Sequence, residues 1–205
     1  MIRFTDIDLE SMDFLYRINL INSCSGYKSA NLIGTKSKLG EENVAVFSSI
    51  THIGSNPALL GFFLRPTTVS RNTYDNIKET GVFSINHIHE EILEDAHHTS
   101  AKYEKSISEF NFTKLIPEYK DNHFAPYVKE APVQLCMSYV NEYPIEENGT
   151  LLIVGKINSI YVSNHILKED GFINLSDAKI ATINGLDGYA IPELKTRFKY
   201  QRPKK

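Results

Sequence analysis

Residues 43–86 read NVAVFSSITHIGSNPALLGFFLRPTTVSRNTYDNIKETGVFSIN, and the choice of fold is made within them. Val44 to Ile50 and Ala58 to Leu64 are apolar along most of their length, as strands covered on both faces are. Thr51 to Ser55 reads as a loop between them, and Asn56-Pro57 as the entry to the second strand. Pro66 ends that strand. Asn72 or Thr73 opens a short helix, Tyr74 to Thr80, and Gly81 supplies its left-handed stop. Val82 to His87 returns to strand, with Phe83 and Ile85 on one face.

Outward from this block the same rules predict more strands than helices. Ile7 to Ser23 carries apolar residues at helical spacings, with Thr5 or Asp6 to cap it and Gly26 to stop it. Lys28 to Thr35 reads as a strand, and Lys36 to Asn43 as a turn around Gly40. Glu90 to Ala101 reads as a charged helix. Phe112 to Val128 mixes loop and short strand, broken by Pro117 and Pro126. Two longer strands, Pro132 to Glu142 and Leu151 to Ser163, flank Pro144 to Gly149, whose closing Asn148-Gly149 is a strong hairpin signal. About seven strands without regular strand–helix alternation describe a mainly β chain of the α+β kind, an antiparallel β-barrel with helices as trim.

Composition narrows the function classes. The chain has 205 residues, 41% hydrophobic and 23% charged, enough for one domain with its own core. A net charge of −3 argues against a general nucleic-acid binder, whose phosphate contacts need a basic surface. After Glu193 the charged residues are all basic: Lys195, Arg197, Lys199, Arg202, Lys204 and Lys205. This tail reads as a solvated end or as an arm for a phosphate-bearing ligand or a partner subunit. Cys24 and Cys136 stand far apart, outside any CxxC spacing, and read as small core residues with reduced thiols in a cytoplasmic protein. The acidic start lacks a signal-peptide core, and Ala58 to Leu64 is too short to span a bilayer, so no membrane is expected.

The common nucleotide and hydrolase signatures are missing: no glycine-rich dinucleotide fingerprint, no Gly-Lys-Ser/Thr phosphate loop, no Gly-x-Ser-x-Gly elbow. His87, His89, His97 and His98 suggest a metal, but Glu94 and His97 form a single Glu-x-x-His step where a di-metal bundle needs two. A solvated acidic helix face explains Glu90, Glu91, Glu94 and Asp95 as well, and no metal is expected. Two polar clusters remain. Ser48-Ser49-Ile50-Thr51 leaves an apolar strand with backbone N–H groups beside small hydroxyls, a place for the acceptor edge of a planar heteroaromatic ring. Ser70, Arg71 and Thr73 collect hydroxyls, a guanidinium and unbonded N–H groups at a helix start, which suits a phosphate dianion.

Taken together, these motifs resemble the flavin reductase-like family of FMN-binding split barrels. The family pattern runs from an apolar strand into F-S-S, through D/N-P, to T-x-x-N-I-x-E-T-G-x-F-x-I/V-N. Phe47-Ser48-Ser49, Asn56-Pro57 and Thr73 to Asn86 reproduce it, and looser likeness continues through Ser108-Glu109-Phe110, Val154 to Ile157 and Gly185 to Tyr189. Many relatives carry an acidic residue where this chain has Asn56. The resemblance implies one flavin reductase-like domain over 1–205, with a helical extension at 1–27 and a basic arm at 193–205. It implies bound FMN, with Ser48, Ser49, Ile50 and Thr51 on the isoalloxazine edge and Ser70, Arg71, Thr73 and Arg65 on the phosphate. Asn86 and His87 would line the cavity near a homodimer interface, and His52, His87 and His165 are candidates for a proton donor. The implied activity is hydride transfer from NAD(P)H to flavin and on to another flavin, a metal complex or another acceptor. A flavin carrier or sensor without turnover and a pyridoxamine-phosphate-oxidase-like enzyme are the alternatives.

Overall fold

The computed structural model describes residues 1–66, 68, 71–104 and 106–203. Its centre is a seven-stranded antiparallel sheet. The strands are β2 (Asn31–Lys36), β3 (Glu42–Phe47), β4 (Thr51–Ser55), β5 (Ala58–Leu64), β6 (Val82–His87), β9 (Val133–Ile145) and β10 (Thr150–Val162). Their order is β3-β2-β6-β9-β10-β5-β4. Strands lie about 4.8 Å apart in a sheet, so β3 and β5 would be far apart if the sheet were flat. Instead Phe47 at the end of β3 meets Phe62 of β5 edge to face, with ring centroids 5.2 Å apart. The sheet is therefore curled into a barrel. Register shifts between Val154/Gly155 and Ile157/Ser159 bend the long β9–β10 hairpin as that closure requires.

The barrel interior is apolar. Ile33, Phe62, Phe83, Ile85, Met137 and Ile153 are all fully or almost fully buried in one cluster. The outer face of β2 and β6 is covered too, by the segment around Pro126, Tyr127 and β8 (Tyr127–Val128), which pairs with β7 (Pro117–Glu118). Gly34 makes this possible. A Cβ there would lie 2.1 Å from the Pro126 carbonyl oxygen, so only glycine lets the covering segment sit down. A second apolar cluster, including Leu32, Val44, Ile88 and Ala181, extends under a small sheet of β1 (Lys28–Ser29), β11 (Thr182–Asn184) and β12 (Gly188–Ala190).

The helices are short: α1 (Asp6–Ser11), α2 (Phe14–Cys24), α3 (Asn72–Thr80) and α4 (Leu93–His98). Where one N-terminal helix is expected there are two. Thr5 and Asp8 cap the first reciprocally, and the Asp13 carboxylate accepts from the N–H groups of Leu15 and Tyr16 at 3.0 and 3.1 Å to start the second. Thr51 to Ser55, expected as a loop, is an edge strand paired to β5. It buries almost nothing, so it leaves no hydrophobic pattern to read. Lys28 to Thr35 is divided at Ala30 between two sheets. The predicted helix from Glu90 to Ala101 is a 3-10 turn, Glu90–Ile92, followed by α4, which ends at His98. Cys24, expected in a core, is exposed, and Cys136 is half-buried. Gly81 closes α3 in the left-handed region at φ 74°, as expected. Among the described residues no helix is long and apolar enough to cross a membrane.

Candidate functional site

A cleft of about 800 Å³ opens between the exit of β3, the end of β5, the start of α3 and the segment that follows α4. That volume is within the roughly 300–1,000 Å³ of small-molecule and cofactor sites. Ser48, Ser49, Arg65, Arg71 and Thr73 all line it, so two sequence clusters separated by some twenty residues meet across one space.

Local interactions explain the meeting. The Ser49 hydroxyl donates to the Phe63 carbonyl at 3.0 Å and accepts from the Phe63 N–H at 3.1 Å. It works as a side-chain rung that ties the turn after β3 to β5. Its hydroxyl is thereby spent on the fold, and only backbone is left there for a ligand. Ser48 is half-buried, and its hydroxyl has no partner among the described residues. At the other end, Asn43 donates through Nδ2 to Thr73 Oγ1 at 3.1 Å and Thr35 Oγ1 at 3.3 Å, and Asn76 donates to the same Thr35 oxygen at 3.2 Å. This buried amide and hydroxyl set seats the first turn of α3 on β2 and β3.

Arg71 precedes α3 in extended conformation and supplies no side-chain cap to it. Asn72 and Thr73 of that first turn line the cleft, beside a guanidinium whose Nε makes one long contact, 3.4 Å, to the Pro66 carbonyl. A cation beside the N–H groups at the positive end of a helix is an arrangement that favours an anion. Phe47, Phe63, Leu64 and Ala45 supply apolar wall between the two polar ends.

Several lining residues were not among the anticipated flavin-site residues. Glu109 is buried, and its Oε2 accepts the Val44 N–H at 3.1 Å across the open edge of β3. Burial pushes its carboxyl pKa up. Tyr103 stacks on Phe112 with centroids 4.8 Å apart and bonds His98 Nε2 at 2.7 Å, which holds the far wall. His97 Nδ1 meets the Tyr189 hydroxyl at 3.1 Å and props the same wall. Leu186 and Asp187, in the Gly185 to Gly188 turn, complete that side. Glu109 and this last pair fall in stretches that carry the looser family likeness, and His97 in the histidine run, whereas Tyr103 had no cue.

Other anticipated residues lie elsewhere. Ile50 packs against the barrel core, Thr51 is exposed at the start of β4, and neither lines the cleft. His52 is exposed on the edge strand, and His165 is exposed after β10. Asn86 is fully buried: Nδ2 donates to the Leu32 carbonyl at 3.2 Å and Ser84 Oγ at 2.9 Å, and Oδ1 accepts the Val128 N–H at 3.0 Å. His87 pairs with Asn31 at the end of β6, and burial pushes its pKa down to about 4. Ser70 lies outside the described residues. His87, His89, His97 and His98 do not converge, and among the described residues no three His, Cys, Asp or Glu side chains could share a metal ion.

Residues 26–178 match the family described as the flavin reductase like domain. Among solved structures, the chain is similar to a candidate flavin reductase with a split barrel domain from Shewanella frigidimarina NCIMB 400. The two share 39% identity at a TM-score of 0.95, over 98% of this chain and 100% of that one. Nitrilotriacetate monooxygenase component B from Bacillus cereus has the same fold, with a TM-score of 0.83 at 20% identity, over 97% of this chain and 98% of its own. An uncharacterised protein of Aquifex aeolicus (strain VF5) is 28% identical over 158 residues, 76% of this chain and 79% of its own.

Proposed function

This chain belongs to the flavin reductase-like family, and from that premise we propose that it is an FMN-dependent oxidoreductase taking hydride from NADH or NADPH. Electrons then pass to a second flavin, a metal complex or another acceptor. Membership supports flavin-linked redox chemistry in general; the nicotinamide donor and the FMN form are our reading. The observation that carries it is the convergence of the Ser48-Ser49 turn and the Arg71-Thr73 helix start on one cleft.

The residues present fit FMN. Arg71, with Arg65 near it, and the first-turn N–H groups of α3 would hold the phosphate, and Thr73 is fixed by Asn43 so that the helix start cannot drift. Backbone at Ser48 and Ser49 would meet the polar edge of the ring, while Phe47, Phe63 and Leu64 exclude water from its faces. FMN bound there supplies the hydride-accepting chemistry, and the protein contributes placement and polarity. A nicotinamide needs only an open face over the ring, so no separate dinucleotide domain is required.

The functional unit in this reading is a homodimer of 1–205. Its support is apolar surface that the single chain leaves bare: Ile7, Phe14 and Leu15 on α1 and α2 are 72%, 62% and 66% exposed. In the arm after Glu193, Phe198 and Tyr200 are 84% and 92% exposed. Light scattering at micromolar concentration should give a dimer. The test of the activity is anaerobic stopped flow with FMN present. NADH or NADPH should bleach the flavin absorbance. Absence of bleaching within minutes, with FMN bound, would leave only a flavin-binding carrier.

A further inference from the structure

On the outer face of the main sheet, away from the cleft, the fold assembles a second chemical cluster around Cys136. Cys136 lies on β9 opposite Ser84 of β6 and Ser159 of β10. Its Sγ is 3.3 Å from Nδ1 of His123. The other ring nitrogen, Nε2, lies 3.1 Å from the Phe83 carbonyl oxygen. A carbonyl only accepts, so Nε2 carries the ring proton, and Nδ1 is left as a bare lone pair facing the sulfur. Burial lowers the His123 pKa, which keeps that lone pair available at neutral pH. The thiol therefore donates its S–H to an imidazole base.

Tyr127 supplies an independent pointer to a ligand. It is 0% exposed, and its hydroxyl reaches no partner at full hydrogen-bond geometry among the described residues; the Cys136 thiol and the Tyr161 hydroxyl are its polar neighbours. The ring packs 5.3 Å from His123 and 5.5 Å from Tyr161, centroid to centroid. Burial and then the nearby Cys136 thiol push the phenol pKa up, so it stays a protonated donor beside the sulfur. Tyr161 in turn bonds Asp121, which fixes the outer rim. A buried donor without an acceptor is costly, and a small oxygen-bearing molecule at Cys136 would satisfy it.

We propose that Cys136 is a peroxide-reactive thiol, with His123 as its base and Tyr127 as the donor to the leaving oxygen. The sulfur attacks one oxygen of hydrogen peroxide, an S–O bond forms and the O–O bond breaks. The thiol proton passes to His123 Nδ1 and then to the departing hydroxide, which leaves as water. Sulfur is oxidised by two electrons to the sulfenic acid, and the peroxide is reduced. Reduced flavin that meets dioxygen yields hydrogen peroxide, so such a thiol would report that leak, though its reactivity does not depend on this source.

The chain carries its own control, because Cys24 is exposed and, among the described residues, its thiol hydrogen-bonds the Ile21 carbonyl and no base. If exposure governed reactivity, Cys24 would oxidise first. The experiment treats the full-length protein with stoichiometric hydrogen peroxide, traps sulfenic acid with dimedone and measures both cysteine peptides by mass spectrometry. Cys136 should label roughly tenfold faster than Cys24, as a thiol hydrogen-bonded to an imidazole base should. His123→Asn should slow Cys136 by about the same factor and leave Cys24 unchanged. Tyr127→Phe should slow it by a smaller factor of about three, the loss of one hydrogen bond. Equal labelling of the two cysteines, or faster labelling of Cys24, overturns the proposal. So does an unchanged Cys136 rate in a His123→Asn protein that still melts cooperatively. If that variant does not fold, the comparison of the two cysteines in the native protein decides alone.

Discussion

Arg71 and Asn86 stand at the two ends of one helix–strand unit, α3 with β6, and both are polar residues that a reader of the sequence would offer to a ligand. The structure treats them differently. Arg71 makes one long contact to the Pro66 carbonyl and otherwise fronts the cleft. Asn86 has both ends of its amide engaged, to Leu32, Ser84 and Val128. The difference comes from what lies opposite. The segment at Pro126 to Val128 has backbone groups of its own to satisfy and takes up Asn86. Among the described residues the Arg71 guanidinium finds only the Pro66 carbonyl. A polar side chain is available to a ligand only when the fold has not already used its hydrogen bonds.

Four measurements test this contrast. The largest effect belongs to Gly34→Ala, which puts a Cβ 2.1 Å from the Pro126 carbonyl oxygen and 2.6 Å from Ser84 Oγ. The covering segment must then lift from the sheet, at a cost above about 4 kcal/mol. A variant that melts within a few degrees of the parent would mean that the segment is not seated as described. Asn86→Ala should come next. It leaves the buried Val128 N–H unpaired and removes the bonds to Leu32 and Ser84, for a loss of about 3 kcal/mol in urea unfolding. FMN affinity should fall only in proportion to unfolded protein. If affinity falls sharply while stability holds, Asn86 belongs with Arg71 and the contrast collapses.

His87 gives a comparable effect through pH. Its folded pKa, about 4, is below the ordinary 6.5, so the unfolded chain takes up the proton first as pH falls. The stability it contributes is complete above pH 6.5, is lost between 6.5 and about 4, and changes no further below that. The loss amounts to about 3 kcal/mol. His87→Gln should remove this part of the acid dependence, measured as the difference between the two unfolding curves across pH. Parallel curves would show that the ring is reached by water. The smallest effect on stability, within about 0.5 kcal/mol, is expected for Arg71→Ala. Its consequence is for the ligand: FMN should bind roughly 10- to 150-fold more weakly, as expected for losing a charged hydrogen bond worth about 1.5–3 kcal/mol. Riboflavin, without the phosphate, should hardly change in calorimetry. Equal losses for both ligands would mean that the arginine supports the fold instead.

Where the sequence could be read, short-range physics was enough. Ala58–Leu64 and Val82–His87 form with the expected bounds because an unbroken apolar run and a period-two run are written in consecutive residues. Gly81 ends α3 because only glycine takes that φ without strain. Thr51 to Ser55 was illegible because an exposed edge strand is held by backbone pairing to β5, which any side chains permit. The site divided on the same line. Ser48, Ser49, Arg65, Arg71 and Thr73 sit near turns and a helix start that have local signals, whereas nothing local marks Tyr103, and Glu109 showed only in a loose family likeness that gave it no role.

Sequence alone settled the mainly β character, the strand-rich block from Asn43 to Asn86 and the two polar clusters within it. Each follows from forces that act over a few residues: strand alternation, helix stop chemistry and turn preference. Tertiary structure alone decided that the clusters face each other, that Ser49 is spent on Phe63 and Asn86 on Val128, and that Glu109 closes the edge of β3 from 65 residues away. It likewise brought His123 to Cys136. These are pairings between distant segments, and no local preference encodes which donor will meet which acceptor once the sheet has curled.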